Sequence, residues 1–467
     1  MSPDPPVTPE QIAALSPEAQ AIIRLLLAQI ADLKAEVARL KKTPRNSSLP
    51  PSSQHPHAKP PPKKKKPKKK RGGQPGHTKC ERPLLPTADC DDVQTLKPNE
   101  CRRCGTHLAG NDSAPLRHQV WELPEIKPLV TEYQRHRLKC PRCGESTCGQ
   151  LPAGVPQGQS GPRLVALAGL LMACFRQSKR RTALFLETVL GQPCSAVLVV
   201  KMQHQVATAI EPTYDELAGR LATEPRLNVD ESPTKEGNNK AWLWTFVAED
   251  FTVFANRNSR ERTALDQLLG EGFGGVVTCD RARMYWRIDR LQWCWAHLQR
   301  DFQALIDHSD NQVRRLGHDL MRPTKEMFRQ WARCRDGTIT RRGLRRLLKP
   351  IRDQIEALLL RGVFSGNRRL TGMCKQLHDH RGRLWTFLDD ENVQPTNNAA
   401  ERALRHAVIW RRLSFGTQSA AGSRFVERML SVIETCRQQS RDVFALLTAA
   451  VAAHLSGQPA PSILPGL

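Results

Sequence analysis

Two short apolar runs that end on acidic residues decide the predicted fold: "NVDES" at residues 228–232 and "VVTCD" at residues 276–280. Each run has the β-branched and apolar content of a buried strand. The acids that follow are Asp230, Glu231 and Asp280. A carboxylate at the end of an apolar strand is either a surface cap or a ligand for a cation, and the flanking sequence distinguishes the two.

The sequence around these runs predicts an α/β domain with a mixed sheet. Five runs are strand-like, in chain order: 226–230, 240–250, 251–258, 273–280 and 287–297. A polar turn follows the first run, and a helix is predicted at residues 259–272, with Ser259 as its N-cap and a glycine at its end. Three strands, a helix and a strand fit a ribonuclease-H-like sheet. In such a sheet the first and fourth strands are neighbours, which would bring Asp230 and Asp280 together.

A third acid follows a helical, arginine-rich stretch at residues 301–392, which we predict to be an insertion into the sheet domain. The stretch "TNNAAERALR" at 396–405 begins with residues typical of helix caps and continues as a strong helix former. Glu401 would lie in the first turn of that helix, on the same face as Leu404 and Val408. A carboxylate aligned with apolar positions indicates a partner on the buried side.

The charge of the chain predicts a polyanionic partner. The formal net charge is +25 and the pI about 9.9, and residues 59–71 carry only nine of the positive charges, so the remainder is basic as well. Nucleic acid is the simplest partner, and its affinity would be sensitive to salt. The longest apolar stretch, residues 164–175, is shorter than the roughly 20 residues of a membrane span. We therefore predict a cytoplasmic, nucleoid-associated protein that does not bind a membrane.

Four of the 14 cysteines have the spacing of zinc ligands. "CRRCG" supplies Cys101 and Cys104, and "CPRCG" supplies Cys140 and Cys143. Two such turns can present four thiolates tetrahedrally to one structural Zn²⁺, and the glycine after each pair permits a tight turn. A redox pair or two unrelated turns are the alternatives.

The remaining segments are read from composition. Residues 16–40 predict a helix with three heptads of apolar residues, either a parallel coiled coil that makes the protein a homo-oligomer or an amphipathic helix packed on its own chain. The predicted organisation is a helix or coiled coil (1–42), a disordered basic linker (43–75), a zinc-ribbon-like module with four cysteine ligands (76–150), a helical module (151–222), the sheet domain with its insertion (223–420) and C-terminal helices (421–467). The basic linker either attracts nucleic-acid phosphates without specificity or is a solubilising tether. The helical module is either a helix-turn-helix-like DNA-binding module or a helical spacer.

The sequence resembles the transposases of insertion sequence family sixty-six, which belong to the DDE class. The segments that carry the resemblance are "NVDES", "VVTCD", "WCWAHLQRDF" (293–302), "TNNAAERALR" and "RRLSFGTQSAAGSRFVERMLSVIETCR" (411–437). The signatures "NSSLPPSSQ" and "GGQPGH" and the two cysteine pairs occur in the same order in that family. The resemblance covers nearly the whole chain and implies that Asp230, Asp280 and Glu401 are a catalytic triad.

The implied function is that of a DNA transposase, which binds the ends of an insertion sequence, cleaves phosphodiester bonds and transfers the strand to target DNA. Three acids suit this chemistry because Mg²⁺ or Mn²⁺ takes oxygen ligands, and two ions about 4 Å apart can hold a phosphoryl group in line. Double-stranded DNA and accessory transposition proteins are the implied partners. The rival hypotheses are a non-catalytic zinc-ribbon DNA-binding protein on a retired nuclease scaffold and a nuclease without strand transfer.

Several neighbouring residues allow two interpretations. Arg281 and Arg283 are either phosphate contacts or solvated surface residues. His297 is either near the metal ions, where it could orient the scissile phosphate, or a hydrogen-bonded structural histidine. Arg405 could pair with Glu401 across one helical turn or, like Arg402, contact DNA phosphate. Glu231 is expected to have a structural role on the opposite face of the strand.

Overall fold

A computed structural model describes residues 13–40 and 82–464, with the side chains of residues 31–40 excepted. The chain divides into a smaller unit, residues 57–129, and a larger unit formed by the remainder. The predicted basic linker at 43–75 lies outside the described residues. Among the helices in the described ranges, none combines the length and apolar content needed to cross a bilayer.

The first helix, α1 (Pro17–Leu40), begins where the sequence predicts. The hydroxyl of Ser16 accepts a hydrogen bond from the Ala19 amide at 3.4 Å, which is the geometry of an N-cap. Pairing of this helix with a second copy stays a prediction, as do the predicted domain limits.

The predicted helical content of residues 160–222 is confirmed. Four helices occupy it: α2 (Pro162–Ala173), α3 (Lys179–Leu190), α4 (Ala196–Ala209) and α5 (Glu211–Arg220). A new helix begins after Ile210, because Pro212 cannot donate an amide hydrogen bond and stands at the first turn of α5. A short antiparallel pair, β1 (Arg137–Lys139) and β2 (Ser146–Cys148), precedes these helices.

A five-stranded mixed sheet forms the centre of the larger unit. Its strands are β3 (Arg226–Glu236), β4 (Asn239–Val247), β5 (Thr252–Arg257), β6 (Val276–Cys279) and β7 (Leu291–Trp293). Their spatial order is β5-β4-β3-β6-β7. The pairs β3–β4 and β4–β5 are antiparallel, whereas β3–β6 and β6–β7 are parallel. The predicted adjacency of the first and fourth strands is therefore confirmed.

The first strand is longer than predicted, and its end was placed wrongly. β3 runs on through the supposed polar turn to Glu236, because antiparallel pairing with β4 continues along the whole hairpin, from Asn228 opposite Val247 to Glu236 opposite Asn239. Asp230 therefore lies within the strand. Its distinction is that pairing with β6 stops at Asn228, so Asp230 follows the last parallel bridge.

Helices cover the sheet and extend from it. Helix α6 (Arg262–Leu269) begins at Arg262, so the predicted cap at Ser259 is wrong; the Ser259 hydroxyl instead accepts from the Glu261 amide just before the helix. The predicted insertion is helical, as expected. After α7 (Trp295–Ile306), it consists of α8 (Asn311–Arg335), α9 (Arg341–Val363), α10 (Arg368–Asp379) and the short α11 (Thr386–Asp389).

The last three helices are α12 (Asn398–Ser414), α13 (Ala420–Gln438) and α14 (Val443–Leu455). One face of α12 carries apolar residues at helical spacing: Ala400, Ala403, Leu404 and Ala407. This face packs against Leu243, Val247 and Phe254 of the sheet. Glu401 is adjacent to this buried stripe. The packing of α12 therefore carries Glu401 to the sheet.

Candidate active site

Asp230 in β3 and Asp280, directly after the neighbouring parallel strand β6, lie at the same level of the sheet. In the register of β3 with β6, Asn228 is opposite Thr278, so Asp230 and Asp280 each lie two residues beyond this bridge. Asp280 immediately follows β6 and caps the next turn, since its Oδ1 accepts a hydrogen bond from the Ala282 amide at 2.8 Å. The sheet topology thus places both carboxylates beside the open end of β6.

Asn397 fixes the start of α12 on strand β3. Its side-chain amide donates to the Val229 carbonyl at 2.7 Å and accepts from the Asn228 amide at 2.9 Å. Its backbone amide donates to Cys294 Sγ at 3.1 Å. Asn397 occupies the N-cap position of α12, as its composition predicts, but its side chain bonds the sheet instead of the helix. These three bonds determine where Glu401, four residues later, can reach.

The acids interact electrostatically. Burial raises the pKa of Asp230 well above its usual value, and the carboxylates of Glu231, Asp280 and Glu401 raise it further. A hydrogen bond from the Glu231 amide to Asp230 Oδ1, at 2.9 Å, opposes this shift. Because like charges repel, the cluster is costly to ionise without a cation.

The Glu401 carboxylate makes only long polar contacts with the described residues. Its Oε1 lies 3.7 Å from His297 Nδ1, and its Oε2 lies 3.6 Å from Arg300 Nη2. Both Glu401 Oε1 and His297 Nδ1 are buried atoms that have no hydrogen-bond partner in the described structure. The predicted pairing of Glu401 with Arg405 is wrong, because Arg300 approaches from α7 whereas the Arg402 and Arg405 side chains are exposed.

His297 lies next to the acids, as one of its two predicted interpretations requires. Burial lowers its pKa, and the nearby Arg300 guanidinium lowers it further, while Glu401 and Asp280 oppose the shift. The imidazole is therefore neutral near pH 7. A neutral ring has one nitrogen with a free lone pair, which can accept a proton or bind a metal ion.

Glu231 belongs to a different set of contacts, which the sequence did not reveal. Its side chain is 2% exposed and lies 2.5 Å from Arg260 Nη2, and the Tyr285 hydroxyl donates to its other oxygen at 2.5 Å. Arg260 also lies 3.9 Å from Asp280 Oδ2 and stacks over the Trp242 ring. Burial raises the pKa of Glu231, and Asp280 adds to the shift, although Arg260 and Tyr285 oppose it. No spacing rule connects Arg260 to residue 231.

Arg281 is a partly buried residue with protein partners, not a solvated surface arginine. It donates to Gln376 on α10 at 2.7 Å and to Asp301 on α7 at 2.5 Å. The solvated interpretation of Arg281 is therefore wrong, because Gln376 and Asp301 are partly buried partners that the local sequence cannot show, whereas contact of Arg281 with phosphate stays a prediction. Arg283 is exposed and lies 5.9 Å from the Trp286 ring centre, which agrees with a surface residue.

The donor set on the sheet suits a hard divalent cation. Asp230, Asp280 and Glu401 supply carboxylate oxygens, which are the ligands that Mg²⁺ and Mn²⁺ prefer. Glu401 Oε1 has an unused lone pair although it is buried. A bound cation would satisfy that atom and remove the repulsion that burdens Asp230, so the residues present fit a divalent ion.

The two cysteine pairs form the same kind of turn. In the first, the Gly105 amide donates to the Cys101 carbonyl and the Cys101 amide to the Thr106 carbonyl, both at 2.9 Å. In the second, the Gly144 amide donates to the Cys140 carbonyl at 2.9 Å and the Cys140 amide to the Glu145 carbonyl at 2.8 Å. Both glycines have positive φ, 72° and 77°, which confirms why glycine follows each pair.

Comparisons with known proteins agree with this organisation. The family model "Transposase IS66 family" matches residues 157–424, and the model "zinc-finger binding domain of transposase IS66" matches residues 98–144, which contain both cysteine pairs. A family of unknown function (DUF6444) matches residues 6–83. Zinc binding by the 98–144 segment and DNA processing by the sheet domain follow at the level of the family.

Curated relatives are found in Sinorhizobium fredii. The uncharacterized protein y4qI is 23% identical over 317 residues, 61% of this chain and 57% of its own length. The uncharacterized protein y4hP is 25% identical over 421 residues, 79% of this chain and 74% of its own length. The matched part of the chain thus spans between about half and three quarters of the length of these relatives. Because the transposase model covers more than half of the 467 residues, the chain belongs to the transposase IS66 family.

Proposed function

We propose that this transposase cleaves phosphodiester bonds at the ends of an insertion sequence and transfers the cut strand to target DNA, with Asp230, Asp280 and Glu401 as its catalytic residues. One observation carries the proposal. Three carboxylates from distant parts of the chain interact at Asp230, and among the described residues the cations near them are at long range: Arg260, 3.9 Å from Asp280 and shared with Glu231, and Arg300, 3.6 Å from Glu401.

The three acids would hold Mg²⁺ or Mn²⁺, which supplies charge neutralisation at the reacting phosphate and makes the attacking hydroxyl more acidic. The protein's contribution is position. Asp230 and Asp280 are set by the parallel register of β3 and β6, and Asn397 ties the helix of Glu401 to β3. Such preorganisation holds the oxygens where positive charge is needed before substrate arrives.

The mixed sheet supports a ribonuclease-H-like assignment for this domain. In the strand order β5-β4-β3-β6-β7, Asp230 lies in β3 and Asp280 directly follows the neighbouring β6, and the glutamate comes from a helix that packs on the sheet. The helical insertion stands between the second aspartate and the glutamate in the chain. It supplies partners such as Gln376 that hold the turn after Asp280.

Double-stranded DNA is the proposed substrate, both as the element ends and as the target. Arg402 and Arg405 are exposed on α12, one and four residues after Glu401, and carry no ion pair in the described part of the chain. We assign them to phosphate contacts beside the site. Zinc held by Cys101, Cys104, Cys140 and Cys143 would order the 98–144 segment for binding DNA.

Assembly through α1 is the remaining part of the proposal. Leu26 and Ile30 occupy predicted heptad positions and are 50% and 44% exposed in the single chain. Burying such residues against a second copy would remove apolar surface from water, as a parallel coiled coil does. Accessory transposition proteins are proposed as further partners.

The test uses the full chain and a donor DNA built from the sequence that flanks its gene, with Mg²⁺ or Mn²⁺ present. The wild-type protein is expected to nick the ends and to join them to a second DNA. Asp230→Asn and Asp280→Asn are expected to bind the ends and to cut neither strand. The charge control is Asp266→Asn, which removes a partly exposed acid of α6 that lies outside the site and pairs with Arg262.

The outcomes separate the rival functions. Cleavage without joined products would favour a nuclease without strand transfer. End binding with no metal-dependent cutting by the wild-type protein would favour a non-catalytic DNA-binding protein. Undiminished cutting by both aspartate variants would contradict the assignment of the site.

A further inference from the structure

A second group of metal-binding side chains lies at the start of α7. Cys294, His297 and Glu401 each offer one donor atom, and these three atoms lie within 4.8 Å of one another. Cys294 and His297 are three residues apart, at the cap and in the first turn of α7, while Glu401 comes from α12. The group therefore joins two helices through one sulfur, one nitrogen and one oxygen donor.

The donors have capacity that the described structure does not use. His297 Nδ1 and Glu401 Oε1 are buried, 3.7 Å apart, and have no hydrogen-bond partner. Cys294 Sγ accepts hydrogen bonds from backbone amides, among them that of Asn397 at 3.1 Å, and is in contact with no cation among the described residues. A buried polar atom without a hydrogen-bond partner costs free energy. Two such atoms only 3.7 Å apart therefore indicate a site for a ligand that bonds both of them.

The chemistry of the donors selects the ion. A thiolate, an imidazole and a carboxylate suit Zn²⁺, whereas Mg²⁺ avoids sulfur. Tetrahedral zinc with its usual bond lengths sets such donors about 3.3–3.6 Å apart. The His297–Glu401 separation of 3.7 Å is already close to that value, and the upper limit of 4.8 Å requires side-chain movement of about 1 Å.

We propose that Cys294, His297 and Glu401 form a binding site for a borderline-soft divalent ion, represented by Zn²⁺, separate from the four-cysteine segment. The Glu401 side chain is 29% exposed, so it forms the open side of this site and leaves a fourth position for water. Cys294 is fully buried and forms the inner side.

The site shares one residue with the proposed catalytic carboxylates, and this sharing gives it a function. A Zn²⁺ ion bound to Glu401 Oε1 holds that carboxylate toward Cys294 and His297. The same oxygen is then unavailable to an ion on Asp230 and Asp280. Zinc at this site would thus act as an inhibitor, a consequence that rests on the proposed function, whereas the binding itself does not.

Binding is tested on the full-length protein by counting zinc ions with native mass spectrometry, after equilibration with a small excess of Zn²⁺ and removal of free metal. The wild-type protein is expected to carry two zinc ions per chain. Cys294→Ser should carry one. The matched control is Cys279→Ser, which removes another fully buried thiol, at the end of β6 and outside the group, and should carry two.

A further variant protects the test from misfolding. Because Glu401 is partly exposed, Glu401→Gln is expected to fold and to lose the second ion as well. A single zinc ion in the wild-type protein would overturn the proposal, as would two ions retained in both Cys294→Ser and Glu401→Gln. Thermal unfolding of each variant identifies any that is not folded.

The inhibitory role is tested separately, in the Mg²⁺-supported cleavage reaction. Zinc is expected to slow cleavage by the wild-type and Cys279→Ser proteins. In Cys294→Ser the zinc concentration needed for the same inhibition should rise by roughly tenfold or more, since one ligand is lost. Equal inhibition of Cys294→Ser and Cys279→Ser would overturn the inhibitory role, and absence of cleavage without zinc would instead count against the proposed function.

Discussion

Asp230 and Glu231 are consecutive residues of one strand, but their carboxylates have opposite electrostatic surroundings. Glu231 is almost fully buried, but Arg260 and Tyr285 bond both of its oxygens. Asp230 is repelled by the carboxylates of Asp280 and Glu401, and in the described part of the chain its side chain accepts a single hydrogen bond, from the Glu231 amide. We call these two regions the paired cluster (Glu231, Arg260, Tyr285) and the acidic cluster (Asp230, Asp280, Glu401).

The difference indicates which region is built for stability and which for binding. A buried charge is tolerated when the fold supplies a counter-charge, as it does at Glu231. The acidic cluster has weaker compensation, since Arg260 lies 3.9 Å from Asp280 and Arg300 lies 3.6 Å from Glu401, and Glu401 leaves a buried oxygen unpaired. The repulsion among these carboxylates either lowers the stability of the folded protein or is neutralised by a bound cation. The predictions that follow separate these two possibilities.

The largest expected difference is in cleavage. Asp230→Asn should reduce strand cleavage by roughly 10³-fold or more, because the change removes a ligand oxygen from the reacting centre. Glu231→Gln should retain most of the activity per folded molecule, since its role is in packing. A metal-dependent nicking assay measures both. Equal losses in the two variants would remove the distinction between the clusters.

The two variants should differ in the opposite direction in stability. Glu231→Gln removes the charge from two short hydrogen bonds and should lower the free energy of unfolding by about 1–3 kcal/mol. Asp230→Asn relieves repulsion and should leave that free energy unchanged or raise it, in buffer without divalent cations. Denaturant titration with circular dichroism gives both values. A larger loss of stability in Asp230→Asn would contradict the account.

The link between α12 and the sheet can be weakened without touching an acid. Asn397→Ala removes two side-chain hydrogen bonds to β3 and should cost about 1–2 kcal/mol of stability. It should also lower cleavage, because Glu401 is no longer held over the aspartates. The neighbouring Asn398→Ala is the control, since Asn398 is exposed. Matching unfolding curves for the two variants would show that Asn397 does not anchor the helix.

The smallest expected effect is a pH dependence of stability. Because the folded-state pKa of Asp230 is raised, the fold favours the protonated form. This contribution is fully present below the ordinary Asp pKa of about 3.9, and it is lost as the pH rises through the higher folded-state value. Without divalent cations, the wild-type protein should thus lose more stability over this pH window than Asp230→Asn. If the melting temperatures of the wild-type protein and Asp230→Asn change in parallel with pH, the destabilisation assigned to ionised Asp230 is contradicted.

Local patterns in the sequence predicted the elements that carry the site. The apolar runs before Asp230 and Asp280 are adjacent parallel strands, and the stretch after Asn397 is a helix that presents Glu401 to the sheet. These features depend on periodicity and propensity within a few residues. They could be read from the sequence because the same pattern that buries an element also determines which way it faces.

Contacts between distant segments could not be read in this way. β3 extends to Glu236 because its partner β4 continues the ladder, although the local residues are polar. Arg260 reaches Glu231 across the sheet, and Arg281 is bonded by residues of the insertion. Asn397 has the composition of a cap but bonds a strand instead. Each of these outcomes depends on tertiary packing, for which no spacing in the chain is diagnostic.

The central claim is that Asp230, Asp280 and Glu401 bind divalent cations jointly. Electron paramagnetic resonance of free Mn²⁺, titrated with full-length protein that carries a single zinc ion per chain, in the four-cysteine segment, measures this without DNA. The account predicts binding by the wild-type protein and by Glu231→Gln, and at least about tenfold weaker binding by Asp230→Asn, Asp280→Asn and Glu401→Gln. Wild-type affinity in Glu401→Gln, or no Mn²⁺ binding by the wild-type protein, would contradict it.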